Sequence, residues 1–231
     1  MNLKNITKLI FMCAFLVTSF KANAQDWANL KRYQAENEAL QPASSNENRV
    51  VFMGNSITQG WVDKHPEFFK QNNYIGRGIS GQTTPQMLVR FRQDVVALQP
   101  EVVVILAGTN DIAGNTGPST PGMIMDNLSS MTEIAMANHI KVILCSVLPA
   151  YDYPWRKGMQ PNIKIPELNE MIKSYCIRKK IQYADYFSEM NDGNNGMKAE
   201  LTTDGVHCTA KGYDVMESIL QPLIKKVLKS K

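Results

Sequence analysis

The segment Val102-Val103-Val104-Ile105-Leu106-Ala107 is apolar at every position and is rich in β-branched residues. β-branched side chains favour extended backbone. A strand with one face in water would alternate apolar and polar residues, whereas this segment offers no polar face. It therefore predicts a strand that is buried on both sides, as in a parallel sheet covered by helices.

Segments with a strand-like pattern alternate along the chain with segments that have a helical pattern. We predict strands at 50–54, 73–77, 102–107, 141–147 and 181–184, and helices at 84–98, 121–138, 162–179 and 210–229. Such alternation is typical of an α/β fold, in which right-handed crossovers bring the carboxyl ends of all strands to one edge of the sheet. A chain of 231 residues suits one domain of this kind.

The first two dozen residues have the composition of a targeting segment. Lys4 and Lys8 precede an apolar stretch, Leu9 to Phe20, which is short for a membrane-spanning helix. Ala22-Asn23-Ala24 places small residues at the −3 and −1 positions of a cleavage site. We predict a signal peptide over residues 1–24, with an uncleaved anchor as the alternative.

Cleavage leaves residues 25–231 as a single domain that is secreted or periplasmic and has no stable membrane anchor. The net charge of +4 counts 25 basic and 21 acidic residues, and residues 1–24 contain three lysines and no acid. The mature chain therefore has 22 basic and 21 acidic residues, or +1, which predicts no nucleic-acid partner.

Three cysteines remain in the mature chain: Cys145, Cys176 and Cys208. Their spacings are typical of neither a zinc site nor a small disulfide framework. At most one bridge can form among them. Cys145 lies in an apolar stretch and is predicted to be a buried free thiol.

Glycine and polar residues gather just after the predicted strands. Open α/β sheets bind their ligands at this edge. The clusters are Gly54-Asn55-Ser56, Gly78-Ile79-Ser80-Gly81-Gln82-Thr83 and Gly108-Thr109-Asn110-Asp111, with Asp204-Gly205-Val206-His207 before the last predicted helix. The pattern predicts one site built from several loops.

Ser56 is the candidate nucleophile, although a serine after a strand is also a common helix cap. A serine hydroxyl needs a base within reach, and the base needs an orienting group. Asp204 precedes His207 by a spacing that lets the carboxylate reach Nδ1 while Nε2 points elsewhere. A surface histidine beside an Asp-Gly turn is the alternative interpretation of that pair. His65 fits a solvated turn and His139 fits a helix C-terminus.

Three hydrogen-bond donors are candidates for an oxyanion hole: the backbone N–H groups of Ser56 and Gly81, and the side-chain amide of Asn110. Fixed donors aimed at a developing oxyanion often give the largest single contribution to acyl-transfer catalysis. Glycine also lets the backbone approach a substrate closely. Gly81 also fits a tight turn and Asn110 an Asx-turn, and the nearby Asn115 is assigned to an Asx-turn.

In order along the chain, these four blocks resemble those of the SGNH hydrolase superfamily, also called GDSL-type esterases and lipases. The blocks are Gly54-Asn55-Ser56-Ile57, Gly78-Ile79-Ser80-Gly81, Gly108-Thr109-Asn110-Asp111 and Asp204-Gly205-Val206-His207. They resemble, respectively, the Gly-Asp-Ser-Leu block, the second block with its oxyanion glycine, the Gly-x-Asn-Asp block and the Asp-x-x-His block. They extend over nearly the whole mature chain.

The resemblance implies a three-layer α/β/α, flavodoxin-like sandwich with a five-stranded parallel sheet. It implies Ser56, His207 and Asp204 as catalytic triad, an oxyanion hole from Ser56, Gly81 and Asn110, and no metal or cofactor. Asn55 departs from the family's aspartate, which is not part of the triad, so the chemistry is expected to survive. The members that look most similar are platelet-activating-factor acetylhydrolase-like esterases and carbohydrate O-acetylesterases.

The predicted substrate is a small-molecule or glycan ester with a short acyl group, above all acetyl. Tyr151, Tyr153 and Trp155 form an aromatic loop after a predicted strand, and such rings suit stacking on sugars. A cap packed over the sheet edge is the alternative interpretation of this loop. A lysophospholipase or thioesterase of the same fold, and a noncatalytic glycan-binding protein, are the alternative functions.

Overall fold

The computed structural model describes residues 26–43 and 47–230. The predicted signal peptide, residues 1–24, lies outside the described residues. Within the described part of the chain, every helix is too short or too polar to cross a membrane.

The strands form one parallel sheet in the order β2-β1-β3-β4-β5. They are β1 Val50–Gly54, β2 Tyr74–Gly78, β3 Val102–Leu106, β4 Lys141–Cys145 and β5 Gln182–Ala184. The chain order reverses between β1 and β3, which is the point where flavodoxin-like sheets open a crevice for ligands. Gly54 is in register with Gly78 on one side and Leu106 on the other, so three strands end at the same level.

Helices cover both faces of the sheet. They are α1 Gln34–Ala39, α2 Ser56–Lys64, α3 Pro66–Asn72, α4 Thr84–Asp94, α5 Thr109–Ile112, α6 Pro121–Ala137, α7 Pro161–Lys179, α8 Tyr186–Met190 and α9 Ala210–Lys229. Single 3-10 turns lie at Leu30–Tyr33, Val96–Leu98 and Ala199–Leu201.

Successive residues of β1 pack into different layers, because side chains alternate across a strand. Val51 and Met53 join the core beneath α4, α6 and α7. Val50 and Phe52 join the core beneath α2, α3 and α9. The structure thus confirms the three-layer α/β/α fold and the five-stranded parallel sheet.

The predicted elements are present, with ends that move by one or two residues, except in one place. The helix predicted over 84–98 ends at Asp94, where Val95 leaves helical geometry and a 3-10 turn follows. No bounds were predicted for the shorter helices α1, α2, α3, α5 and α8; a helix was expected to begin at Ser56, but Gly60 interrupts the helical pattern of α2. The prediction of a buried free thiol at Cys145 is confirmed, and Cys176 and Cys208 are also buried and unpaired.

The N-terminal arm, residues 26–40, packs across the end of β2 and along α4. The Tyr33 hydroxyl donates a hydrogen bond to the Gly78 carbonyl, at 2.5 Å. The Gln82 side-chain amide donates to the Ala28 carbonyl, at 2.7 Å. The arm therefore belongs to the wall behind the loop that follows β2.

Candidate active site

The connection from β1 to α2 is abrupt, and it presents Ser56 at the sheet edge. The Asn55 side chain caps α2 by accepting a hydrogen bond from the Ile57 N–H, at 3.0 Å. A Cβ atom at Gly54 would overlap the Thr58 side chain, so only glycine allows α2 to fold back this closely. Ser56 is the first residue of the helix. The helix cap is therefore Asn55, whereas the alternative interpretation of the sequence had placed the cap at Ser56.

The hydroxyl of Ser56 lies 3.1 Å from His207 Nε2. On the other side of the ring, His207 Nδ1 lies 2.7 Å from Asp204 Oδ2. With the proton on Nδ1, the imidazole donates to Asp204, and Nε2 accepts from the serine hydroxyl. The structure thus brings these three predicted residues into one continuous hydrogen-bonded chain.

The loop before α9 holds Asp204 by its own backbone. The other carboxylate oxygen, Oδ1, accepts from the N–H groups of Val206, at 2.9 Å, and His207, at 2.8 Å. Burial alone would raise the pKa of the Asp204 carboxyl, but the hydrogen bonds from His207 and Val206 outweigh it and lower that pKa. The carboxylate is therefore held in its charged form beside the imidazole.

The candidate oxyanion donors lie at the ends of β1, β2 and β3. The N–H groups of Ser56 and Gly81 make no hydrogen bond to any other described residue. The Asn110 side chain is buried and uses one N–H to bind the Gln82 carbonyl, at 2.9 Å, which leaves its second N–H. All three groups therefore retain a donor, which an oxyanion hole requires.

A fully buried arginine, Arg90 on α4, joins the segments that carry these donors. Its guanidinium donates to the carbonyls of Gly54, at 3.1 Å, and Arg77, at 2.9 Å. It also binds the side-chain oxygen of Gln82, at 2.6 Å, and pairs with Asp94, at 3.0 Å. The guanidinium thus ties the end of β1 to the loop after β2.

The carboxylate of Asp111, next to Asn110, anchors the start of α4. It accepts from the Thr84 N–H, at 2.9 Å, and from the Thr84 hydroxyl. Burial raises the pKa of the Asp111 carboxyl to about 6, although the bonds from Thr84 act in the opposite direction. Asp111 therefore supports the loop after β2 from behind.

The structure separates the three aromatic residues of the loop after β4. Trp155 is 44% exposed, and its ring centroid lies 6.0 Å from that of His207. Tyr153 is completely buried and stacks on Trp155, with centroids 5.1 Å apart. Tyr151 is exposed, at 63%. Tyr153 therefore supports the Trp155 ring and, contrary to its predicted role, offers no surface to a substrate.

The other two histidines do not join this chain of residues. His65 is not in a solvated turn as predicted, because its Nδ1 lies 2.7 Å from Glu217 on α9 and its side chain is mostly buried. With Asp214, these two residues place three potential metal ligands close together, but the Trp61 indole N–H also occupies the same Glu217 oxygen. His139 follows α6 and is exposed.

Sequence reasoning missed several residues that support the site. Arg90 lies four residues before Asp94, and a charged pair at this spacing on the apolar stripe of α4 is the signal that could have revealed it. Asn115 was assigned to an Asx-turn, whereas its side-chain amide donates to the Gly81 carbonyl, at 3.0 Å. No sequence pattern indicates this hydrogen bond between Asn115 and Gly81.

Comparison with known proteins gives the same assignment as the fold and the site. Residues 52–215 match the GDSL-like lipase/acylhydrolase family, and the chain belongs to that family. It is a carboxylic ester hydrolase of the GDSL type.

Three individual relatives are esterases or lipases with different names. A GDSL-like lipase of Bacteroides thetaiotaomicron is 51% identical, with a TM-score of 0.83 over 86% of this chain and 98% of its own. Esterase TesA of Pseudomonas aeruginosa is 25% identical over 76% of this chain and 83% of its own. An acetylxylan esterase of Xylanibacter ruminicola is 26% identical over 77% of this chain and 43% of its own.

Proposed function

We propose that this protein is a secreted serine esterase that removes short acyl groups, above all acetyl, from carbohydrate esters. The observation that carries the chemical part is the chain of contacts from Ser56 Oγ to His207 Nε2, at 3.1 Å, and from His207 Nδ1 to Asp204 Oδ2, at 2.7 Å. It gives a serine hydroxyl both a base and an orienting carboxylate.

In the proposed reaction, His207 takes the hydroxyl proton as Ser56 attacks the ester carbonyl. Asp204 stabilises the resulting imidazolium and keeps the ring in the productive tautomer. The negative charge that develops on the carbonyl oxygen is stabilised by the N–H groups of Ser56 and Gly81 and by the Asn110 amide. The imidazolium protonates the leaving alcohol, and water activated by His207 then hydrolyses the acyl-enzyme.

The chemical part is tested by removing the nucleophile and the base separately. Ser56→Ala and His207→Ala should each lower kcat on p-nitrophenyl acetate by about a thousandfold or more. Ser218→Ala, in the exposed outer face of α9, and His139→Ala serve as matched controls and should keep wild-type rates. Wild-type turnover by folded Ser56→Ala would exclude the mechanism.

The carbohydrate part rests on Trp155 and on the acetylxylan esterase relative. A half-exposed indole beside the candidate base offers a flat apolar surface, and sugar rings stack on such surfaces. Because Tyr153 supports that ring from below, the surface is preformed. A sugar bound there would lie close to the reacting hydroxyl.

A substrate comparison tests this part. Trp155→Ala should raise KM for acetylated xylo-oligosaccharide about fivefold, since stacking on an aromatic ring contributes on the order of 1 kcal/mol. It should leave KM for p-nitrophenyl acetate within about twofold, because that ester carries no sugar. A wild-type preference for acyl chains of ten or more carbons would favour a lysophospholipase or thioesterase instead.

Secretion is tested on the full-length chain expressed in a Gram-negative host. The amino terminus of the exported protein should be Gln25, read by terminal sequencing. Protein retained in the membrane fraction with an intact amino terminus would favour the uncleaved anchor. That outcome would leave the proposed chemistry untouched.

A further inference from the structure

The Gly81 N–H belongs to a tight turn, Ile79 to Gln82. The Gln82 N–H donates to the Ile79 carbonyl, at 3.3 Å, which closes the turn. Gly81 occupies its third position with φ of 76°, a conformation in which β-turns favour glycine. Ile79 and Gln82 are buried, whereas the two central residues, Ser80 and Gly81, are exposed, so the side chains of the turn fix its ends and not the Ser80–Gly81 peptide.

Two side chains from other parts of the chain bind the backbone on either side of that N–H. The Gln59 side-chain oxygen accepts from the Ser80 N–H, at 3.0 Å. The Asn115 amide donates to the Gly81 carbonyl, also at 3.0 Å. The two peptide groups that flank the Ser80–Gly81 peptide, which carries the Gly81 N–H, are therefore each bound by a group outside the turn.

The segments that supply these two side chains also carry the other groups of the site. Gln59 lies one helical turn after Ser56 on α2. Asn115 follows α5, and its own N–H bonds to the Asn110 carbonyl, at 3.0 Å. Each contact thus fixes the position of the Gly81 N–H relative to another member of the site.

We propose that Gln59 and Asn115 are positioning residues, which hold the Gly81 N–H in place relative to the Ser56 hydroxyl and the Asn110 amide. This inference rests on the proposed function. Oxyanion donors act only when they are already in position as the charge develops, and a displacement of about 1 Å can cost roughly a hundredfold in rate. Exposed hydrogen bonds of this kind add little to folding stability, so their effect should be seen in catalysis.

Asn115→Ala and Gln59→Met test the proposal, since methionine keeps the length of the side chain but has no amide oxygen. Each should lower kcat on p-nitrophenyl acetate roughly tenfold and leave KM nearly unchanged, because the lost contact acts in the transition state. Each should shift Tm by no more than about 2 °C. The matched control is Asn138→Ala, which removes an exposed Asn-to-carbonyl bond of 2.7 Å after α6, at the amino ends of the strands.

The outcomes separate the two proposals when wild type and Ser56→Ala are measured in the same series. If Ser56→Ala is inactive while Asn115→Ala and Gln59→Met keep the wild-type kcat, the positioning role is wrong and the proposed function stands. A rise in KM at constant kcat would also overturn the positioning role. Full turnover by Ser56→Ala would overturn both proposals.

Discussion

Asp204 and Asp111 both serve the candidate site, and their surroundings shift the pKa values of their carboxyls in opposite directions. Asp204 is partly exposed in a loop, and the hydrogen bonds that it accepts lower its carboxyl pKa. Asp111 is buried behind Asn110, and burial raises its carboxyl pKa to about 6. The Asp204 carboxylate is therefore stabilised in its charged form, whereas ionisation of Asp111 lowers the stability of the fold.

The same contrast separates two sides of the site. The acid–base side contains Asp204 and His207, and the oxyanion side contains the oxyanion donors that Asp111 supports. The acid–base side is a short loop that binds mainly itself: the His207 carbonyl accepts from the Thr203 N–H, at 2.9 Å, and from the Thr202 hydroxyl, at 2.9 Å. The oxyanion side is connected to a buried network around Arg90 and to the N-terminal arm. Proton transfer needs an imidazole that substrate can reach and whose tautomer is fixed by one carboxylate, whereas oxyanion stabilisation needs several donors that do not move relative to one another.

Replacing each aspartate by asparagine tests this contrast, and the largest effect is expected at Asp204. Oδ1 accepts two N–H groups, so the carboxamide oxygen of Asp204→Asn must take that position and its NH₂ must face His207 Nδ1. The ring is then driven to carry its proton on Nε2, where it cannot accept the Ser56 proton. We expect kcat on p-nitrophenyl acetate to fall by about 10³–10⁴-fold with the fold retained.

Asp185→Asn is the matched control, because Asp185 also binds nearby N–H and hydroxyl groups, at the start of α8. It should keep the wild-type kcat. A loss of less than about tenfold in Asp204→Asn would show that the carboxylate is not needed to select the tautomer.

At Asp111 the expected effect is on stability and depends on pH. The raised pKa means that the folded state binds this proton more tightly than the unfolded state, whose aspartate pKa is close to 3.8. The contribution of this group to stability is therefore fully present below about pH 4 and is lost as pH rises through about 6. The loss is on the order of 3 kcal/mol.

Asp111→Asn has no proton to lose at this position. Its free energy of unfolding, measured by urea denaturation, should therefore increase relative to that of wild type as pH rises from 4 to 7. Its kcat should fall by less than about tenfold, because Asp111 acts on Thr84 rather than on substrate. Parallel stability curves for the two proteins would show that Asp111 ionises freely in the fold.

The extent to which the sequence predicts the molecule differs between these two sides. Ser56, Asp204 and His207 could be found because their chemistry dictates residue types, because Ser56 follows β1 directly, and because Asp204 and His207 stand three residues apart before the last helix. The role of Arg90 could not, because its spacing from Asp94 indicates at most a charged pair on one helix, whereas the carbonyls of Gly54 and Arg77 that also compensate for its burial come from other elements.

The strands were also predictable from residue type, whereas the shorter helices were not. The apolar runs of β1 and β3 have to be buried wherever they lie, so pattern alone identifies them. Helix α2 contains Gly60 and depends on the burial of Trp61 between the sheet and α9, a contact that the local pattern does not reveal. The sequence left Tyr153 open between substrate contact and a packed cap, because an aromatic residue in a loop can face either way, and its burial fits the cap.

The smallest effect is expected at Asn55, which stands where the family's first block has aspartate. The structure uses this side chain for one purpose, the hydrogen bond that its oxygen accepts from the Ile57 N–H, and aspartate supplies the same acceptor. The added charge gains about 0.3–1 kcal/mol at a helix N-terminus, and burial of the carboxylate opposes this gain. Asn55→Asp should therefore keep kcat within about twofold and stability within about 1 kcal/mol.

Asn55→Ala is the informative partner of that variant, because it removes the cap and should cost about 1 kcal/mol in stability. If the alanine variant loses stability while the aspartate variant is silent, residue 55 acts through the backbone of α2 and supports Ser56 only by placing it. If Asn55→Asp instead changes kcat by more than tenfold, a charge at the end of β1 affects the reaction directly. The division between a rigid oxyanion side and an accessible acid–base side would then fail at the residue next to the candidate nucleophile.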